Sequence, residues 1–295
     1  MRTTTIPAYD GLKLHVTVYD QVAPKAIVQV THGALEHKEL YYPFAEYLNK
    51  NGYAVVLSDN RGHGDSVNER YPLGHIEGIE QNVRDAYAVT RFIKKEYPSK
   101  DLILFGHSLG SVIVRNYLQE HDDEIKKLIL TGTANYIKIV NIGLAVGRLC
   151  SIFTGSRGHS RLLDKIGGTT LWHEDSYETN WVSSDRAFYE QFRSDPKARF
   201  AWDNAGALTV FEGDSNLKQF KKYRCKNPAL KIASFTGGRD PVVGGEEGLL
   251  DTVKTLHRIG YANVRTIVYP DDLHAVLFEQ NKNEVYRDIL KFIGE

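Results

Sequence analysis

Residues 102–110 read Leu102-Ile103-Leu104-Phe105-Gly106-His107-Ser108-Leu109-Gly110, and an amphipathic segment follows as far as Glu120. The apolar run predicts a strand and the amphipathic segment a helix, so Ser108 lies at a sharp turn between them. Such a turn strains the serine backbone and projects its hydroxyl above the sheet, while the flanking glycines let strand and helix approach closely. The pattern therefore predicts a nucleophilic serine, although serine is also a common helix N-cap.

Short β-branched runs alternate with longer amphipathic segments along most of the chain. The alternation predicts a doubly wound, mostly parallel sheet with helices on both faces. The expected core strands are 26–31, 53–58, 102–105, 127–131, 230–236 and 264–269. The expected helices are 42–51, 79–97, 108–120, 246–259 and 283–293. Residues 3–6 and 13–19, with a hairpin turn at Asp10-Gly11, are expected to add an antiparallel edge.

The alternation stops between Ala134 and Phe211, where the sequence is helix-like and aromatic. We expect a helical cap over 134–211, inserted into a core formed by 1–133 and 212–295. Its aromatic side chains either line a pocket for a hydrophobic substrate or pack the cap onto the sheet. They are Tyr136, Trp172, Tyr177, Trp181, Phe188, Tyr189, Phe192, Phe200 and Trp202. Residues 137–150 read as a helix that covers another element, and the cap offers a surface for transient lipid contact.

Charge and composition exclude several classes of partner. The 37 basic and 37 acidic residues among 295 cancel, which argues against nucleic acid and anionic membranes as partners. The start of the chain lacks the apolar core of a signal peptide, and no stretch reaches the roughly 20 apolar residues of a membrane span. Cys150 and Cys225 show no metal or disulfide pattern and favour a reducing compartment. We therefore expect a cytoplasmic protein with a small-molecule substrate, and the oligomeric state stays open.

Polar residues collect in the loops that follow the predicted strands, where open α/β sheets bind their ligands. Ser108, Asp240 and His274 each follow a different strand, so a serine, an acid and a histidine reach one edge in that order. Asp271 and Asp272 are competing acids, but they share a loop with His274, whereas Asp240 can face the imidazole from another strand. No histidine shows a metal-binding pattern, and neither a metal nor a cofactor is expected.

Three blocks of sequence carry a resemblance to a known family. They are His32-Gly33-Ala34-Leu35-Glu36-His37 with Tyr41, Asp59-Asn60-Arg61-Gly62-His63-Gly64-Asp65-Ser66, and Gly106-His107-Ser108-Leu109-Gly110. Together they resemble the monoacylglycerol lipases and bacterial lysophospholipases, a branch of the serine α/β-hydrolases that carries a helical cap. The resemblance implies an α/β-hydrolase fold with Ser108 as nucleophile, Asp240 as acid and His274 as base. It also implies an oxyanion hole made by the backbone N–H groups of Ala34 and Leu109.

The implied chemistry suits these residue types. The histidine would take the serine proton, the aspartate would hold the imidazole tautomer, and two fixed N–H donors would meet the oxyanion. The resemblance thus predicts a carboxylic-ester hydrolase that forms an acyl-enzyme, with a monoacylglycerol or lysophospholipid as substrate. The alternatives are acyl transfer to another acceptor, cleavage of a small amide, and a non-catalytic ligand-binding protein on the same scaffold.

Several neighbours are expected to play supporting roles. His32 and His63 should hydrogen-bond their loops, and strand alternation points His107 away from the serine. An ion pair between Asp59 and Arg61 should fix the loop between them. A second serine-containing stretch, Gly213-Asp214-Ser215-Asn216, lacks the rest of an esterase signature and is expected at the surface.

The sequence departs from the family pattern near the expected site. Leu35 and Ser111 stand where the family commonly has glycine, and Ala275 replaces a glutamate that usually follows the histidine, while Glu279 is kept. The added bulk of Leu35 and Ser111 leaves the pocket width and the preferred acyl length open.

Overall fold

In a computed structural model that describes residues 1–160, 163, 176–198 and 200–295, eight strands form one sheet. They are β1 (Arg2–Pro7), β2 (Lys13–Tyr19), β3 (Ile27–Thr31), β4 (Ala54–Ser58), β5 (Leu102–His107), β6 (Lys127–Thr131), β7 (Lys231–Gly237) and β8 (Asn263–Tyr269). Their order is β1-β2-β4-β3-β5-β6-β7-β8. β2 is antiparallel to both β1 and β4, and the remaining neighbours are parallel. The mostly parallel sheet and its antiparallel edge are therefore confirmed.

Helices cover both faces of this sheet, as the alternating pattern predicts. The α-helices of the described residues are α1 (Tyr42–Lys50), α2 (Ile79–Glu96), α3 (Leu109–His121), α4 (Val140–Thr154), α5 (Arg186–Ser194), α6 (Asn204–Asn216), α7 (Gly245–Ile259) and α8 (Lys282–Gly294). One buried cluster includes apolar side chains of α2 and α3, and a second on the opposite face includes those of α1 and α8. The doubly wound α/β architecture follows from these two cores.

The central strands β3 to β6 are buried along their whole length, as strands covered on both faces by helices are. Gln29, a polar residue in the middle of β3, is fully buried. Its amide donates to the carbonyl of Ala86 at 2.8 Å and accepts from the Thr90 hydroxyl at 2.7 Å. Because both ends of the amide are satisfied, the polar group ties β3 to α2 at little cost.

Helices α4, α5 and α6 lie between β6 and β7, and the described residues of 134–211 contain no strand. The helix expected at 137–150 is confirmed as α4, which starts and ends slightly later. It lies so close to α6 that a Cβ on Gly147 would stand 2.7 Å from Leu208 Cδ2. Position 211, the expected end of the cap, falls inside α6, and Trp172 lies outside the described residues. Among the described residues, no helix combines the length and apolar character that a membrane crossing requires.

Candidate active site

Ser108 occupies the turn between β5 and α3. Its backbone has φ 51° and ψ −118°, which is costly for a residue with a Cβ. A Cβ on Gly106 would lie 2.5 Å from the Gly110 carbonyl oxygen, and a Cβ on Gly110 would lie 2.2 Å from that of Thr31. Glycine is therefore required on both sides, as expected. The Ser108 hydroxyl makes no capping hydrogen bond to the first turn of α3, which argues against the N-cap role.

His274 and Asp240 face each other from the loops after β8 and β7. His274 Nδ1 and Asp240 Oδ2 lie 2.8 Å apart, and both side chains are buried. The other Asp240 oxygen accepts the backbone N–H of Val242 at 2.8 Å, which fixes the carboxylate within its turn. It is Asp240 that meets the imidazole, and burial raises the pKa of its competitor Asp272 to about 6.

The loop that carries His274 is held by the segment before α5. The His274 backbone N–H donates to the Trp181 carbonyl at 3.2 Å, and that of Ala275 donates to Val182 at 2.8 Å. The Trp181 ring also packs against the imidazole, with centroids 5.0 Å apart. Glu279 supports the same loop, because its carboxylate accepts the backbone N–H of Leu273 at 2.9 Å. The imidazole is therefore fixed by backbone, ring and carboxylate contacts together.

The loop after β3 passes beside the serine. A Cβ on Gly33 would lie 3.0 Å from Ser108 Cβ and 2.8 Å from a Glu36 carboxylate oxygen, so this position has no room for a side chain. It is Leu35 that takes a left-handed φ of 56°. Ala34, next to Gly33, lines the same cavity as Ser108 and Leu109. The structure thus places Ala34, Ser108 and Leu109 around one cavity and pairs His274 with Asp240. Trp181, whose ring packs against the imidazole, lines the same cavity.

This cavity has a volume of about 570 Å³ and an apolar lining. Its residues include Ala34, Ser108, Leu109, Val112, Tyr136, Ile137, Ile139, Trp181, Trp202, Val210, Phe211, Asp214 and Val242. Asp214 is buried, and its carboxylate accepts the Ile137 backbone N–H at 2.9 Å. Burial raises the pKa of Asp214 to about 6. The bulk of Leu35 and Ser111 made the pocket width impossible to predict from the sequence. Neither residue belongs to the described cavity lining.

The expectation that the stretch from Gly213 to Asn216 lies at the surface is wrong. These residues form the end of α6, where Gly213, Asp214 and Asn216 are buried. Sequence reasoning missed Asp214 as a pocket residue. The spacing could have indicated it, because Phe211 and Asp214 are three positions apart and therefore lie on the same face of the helix.

The expected ion pair between Asp59 and Arg61 is also wrong. Asp59 accepts from the buried Lys38 ammonium at 2.6 Å, whereas Arg61 makes a two-pronged contact with Asp85 at 2.6 and 2.7 Å. Arg61 also reaches Asp10 at 2.9 Å. Both charges do fix the loop between them, but each is tied to a different element.

His32 and His63 hydrogen-bond their loops, as expected. His32 Nε2 accepts the Asn60 N–H at 2.9 Å, and His63 Nδ1 lies 2.9 Å from the Arg61 carbonyl. Burial lowers the pKa of His63 to about 4, so its ring is neutral. The His107 ring packs beside that of His274, with centroids 4.8 Å apart, and its Nδ1 lies 3.0 Å from the Thr131 hydroxyl. The described residues hold no group of three or more metal-ligating side chains.

A family model described as serine aminopeptidase, S33, matches residues 22–281. The chain belongs to this family. The monoacylglycerol lipase of Mycolicibacterium smegmatis is 24% identical over 273 residues, which cover 92% of this chain and 88% of that protein. Rat monoglyceride lipase is 36% identical over 90 residues, or 30% of this chain and 29% of that protein.

Among solved structures, a thermostable carboxyl esterase from Bacillus coagulans aligns with a TM-score of 0.87 and 25% identity, covering 99% of this chain and 97% of that one. The monoacylglycerol lipase of Paleococcus ferrophilus aligns with a TM-score of 0.71 and 19% identity, covering 95% and 97% of the two chains. The predicted α/β-hydrolase fold and the monoacylglycerol lipase branch are therefore confirmed. This member of the S33 family is a carboxylic-ester hydrolase of the esterase and lipase type.

Proposed function

We propose that this hydrolase acts through a Ser108–His274–Asp240 triad and an acyl-enzyme, with the N–H groups of Ala34 and Leu109 as the oxyanion hole. The buried 2.8 Å contact between His274 and Asp240 carries the proposal. When the carboxylate accepts the Nδ1–H proton, Nε2 is left as the basic nitrogen. A base of that kind beside a strained serine is the arrangement that nucleophilic catalysis requires.

The steps follow from this arrangement. Nε2 takes the Ser108 proton as Oγ bonds to the ester carbonyl carbon, and the two N–H groups stabilise the oxyanion. The imidazolium then protonates the leaving alcohol as its C–O bond breaks. Water attacks the remaining acyl-enzyme, gives its proton to Nε2, and releases the carboxylic acid when the serine oxygen regains a proton.

The preferred substrate in this proposal is a monoacylglycerol. The apolar cavity suits an acyl chain, and the relatives named as monoacylglycerol lipases and a carboxyl esterase support this class. A lysophospholipid is the competing substrate. A hydrolysis profile across monoacylglycerols, lysophospholipids and short aryl esters decides between them, and a profile that favours lysophospholipids would reject our choice.

The triad is tested with Ser108→Ala, and Ser215→Ala serves as a half-exposed serine control. We expect Ser108→Ala to lose about 10⁴-fold or more in p-nitrophenyl ester hydrolysis while remaining folded. A fluorophosphonate should label the parent protein and Ser215→Ala, but not Ser108→Ala. If the parent protein is not labelled, the non-catalytic binding protein is the better reading. Ester formation from added alcohol would instead indicate acyl transfer.

Amide cleavage is the second candidate, because the matching family is described as a serine aminopeptidase. Asp214 is the carboxylate in the described cavity lining and is therefore the group there that could meet a substrate ammonium. Aminoacyl p-nitroanilides test this candidate. Turnover that is faster than ester hydrolysis, and that Asp214→Asn abolishes, would favour the peptidase.

We also propose that 134–211 acts as a cap on a core formed by 1–133 and 212–295. Polar contacts join the two parts: Lys197 forms an ion pair with Asp65 at 2.8 Å, and His37 Nε2 lies 2.8 Å from Asp195 Oδ2. The cap would be the surface for transient lipid contact, because α4 and the residue just before it expose large apolar side chains. They are Ile139, Ile142, Leu149, Ile152 and Phe153.

Binding to neutral phosphatidylcholine vesicles tests the lipid contact. A variant with both Ile152→Glu and Phe153→Glu should lose sedimentation with the vesicles, whereas Val22→Glu, on an exposed core loop, should not. Equal sedimentation of the two variants would contradict the proposal. A cytoplasmic location is proposed because Cys150 and Cys225 are both free thiols, and cell fractionation tests it.

A further inference from the structure

The buried carboxylate of Glu36 lies against the backbone of the loop that carries Ala34. One of its oxygens accepts the Gly33 backbone N–H at 2.8 Å and the Tyr41 hydroxyl at 2.6 Å. Burial raises the pKa of this carboxyl, while the two donated hydrogen bonds favour its ionised form. The triad proposed above does not use Glu36, yet a buried carboxylate with this burial cost needs a reason.

His32 holds the other side of Gly33. The Asn60 N–H donates to His32 Nε2 at 2.9 Å, so the ring proton sits on Nδ1. Nδ1 lies 2.7 Å from the Gly33 carbonyl oxygen and therefore donates to it. Burial keeps this imidazole neutral by lowering its pKa well below the usual value, which preserves the donor and acceptor arrangement.

The Gly33 carbonyl and the Ala34 N–H belong to one peptide group. In a trans peptide these two bonds point in opposite directions, so a hydrogen bond that fixes the carbonyl also fixes the direction of the N–H. Glu36 fixes the preceding peptide through its N–H in the same way. A Cβ on Gly33 would lie 3.0 Å from both Ser108 Cβ and the His107 ring, so these side chains pack closely around the glycine.

We propose that His32 and Glu36 are positioning residues that hold both peptide groups of Gly33 and thereby aim the Ala34 N–H at the oxyanion. The inference rests on the proposed roles of Ser108 and Ala34. Neither side chain touches the reacting atoms in this scheme. Their effect on the reaction passes through the direction of one backbone N–H.

Two pairs of variants separate hydrogen bonding from volume. Glu36→Gln keeps an acceptor for Gly33, and His32→Asn keeps a donor near the position of Nδ1, whereas Glu36→Leu and His32→Leu keep only bulk. We expect the leucine variants to lose about 100-fold in kcat with KM within about threefold, because a misplaced oxyanion donor weakens only the transition state. The Gln and Asn variants should stay within about fivefold of the parent kcat.

A thiono ester, in which sulfur replaces the carbonyl oxygen, provides a second measurement, the ratio of oxo-ester to thiono-ester turnover. A merely structural role of His32 and Glu36 would not change this ratio. Sulfur is a weak acceptor, so the parent enzyme should prefer the oxo ester strongly, and the leucine variants should lose most of that preference. Parent kcat and an unchanged oxo-to-thiono ratio in folded leucine variants would overturn the inference. If the leucine variants do not fold, a 100-fold loss in Glu36→Gln or His32→Asn would overturn it.

Fluorophosphonate labelling separates the two possible failures. If the parent protein is labelled on Ser108 and the His32 and Glu36 variants behave as the parent does, only the role of His32 and Glu36 is wrong. If Ser108 is not labelled in the parent protein, the proposed function itself fails. Glu39→Gln, a half-buried change just after the same loop, is the matched control and should leave kcat and the oxo-to-thiono ratio unchanged.

Discussion

Replacing Asp240 by asparagine should lower kcat by about 10⁴-fold while the protein stays folded. The asparagine Oδ1 can still accept the Val242 N–H, so the turn after β7 keeps its hydrogen bond. The amide nitrogen, however, would stand about where Oδ2 lies 2.8 Å from His274 Nδ1, and it can only donate there. Nδ1 must then accept, which puts the ring proton on Nε2 and leaves no base for Ser108. A 10⁴-fold loss corresponds to about 5.5 kcal/mol of transition-state stabilisation.

Steady-state hydrolysis of a p-nitrophenyl ester measures this loss, with circular dichroism as the check on folding. Asp272→Asn is the matched control, because Asp272 is also buried at this edge of the sheet but does not form the 2.8 Å pair. We expect it to retain activity within about threefold. An Asp240→Asn enzyme within tenfold of the parent, or an equal loss in Asp272→Asn, would refute the assignment of the acid.

Three further predictions concern stability. Gly110→Ala should lower the free energy of unfolding, measured in urea, by about 3 kcal/mol, because its methyl group would meet a β3 carbonyl oxygen at 2.2 Å. Gly11→Ala, at a position with φ 86° and open space around it, should cost about 1 kcal/mol. Equal losses in the two variants would contradict the close approach of α3 to β3. Burial raises the pKa of Asp214 from 3.8 to about 6. As pH rises, the unfolded chain loses the Asp214 proton before the folded protein does, so the free energy of unfolding falls between about pH 4 and pH 6. Asp214→Asn should remove about 3 kcal/mol of that decline, and parallel stability curves for the two proteins would reject the shift. Lys197→Ala, which removes a half-exposed link to Asp65, should cost under about 1 kcal/mol, and 1 M salt should erase the difference in melting temperature; a difference that persists would point to lost packing.

The sheet was predictable from the sequence because its signals are local. Strands such as β6 are short apolar runs, and α2 repeats apolar residues on one face. The pattern within each element is therefore enough to predict whether it is a strand or a helix. The turn at Ser108 was predictable for the same reason, since the steric demand of a strand-to-helix junction selects the glycines beside it. The meeting of Asp240 with His274 then followed from topology, because the carboxyl ends of neighbouring parallel strands share an edge.

Side-chain partners were less predictable, because they depend on distant elements. Arg61 pairs with Asp85 on α2 rather than with Asp59, since the buried Lys38 takes Asp59. The His107 ring packs against that of His274, which lies after a distant strand, and strand alternation does not predict this contact. The spacing of these residues along the chain does not predict which of them form pairs.

The segment between β6 and β7 holds the loop that carries His274, so in the proposed mechanism a change in the cavity wall would also reach the imidazole. The Trp181 and Val182 carbonyls accept the backbone N–H groups of His274 and Ala275, and the Trp181 ring forms part of the cavity wall. Opening this wall to admit a substrate would stretch the bonds that hold the imidazole. A bulky substrate that displaces Trp181 should therefore lower kcat as well as raise KM, whereas one that displaces only the α4 side of the cavity should change KM alone.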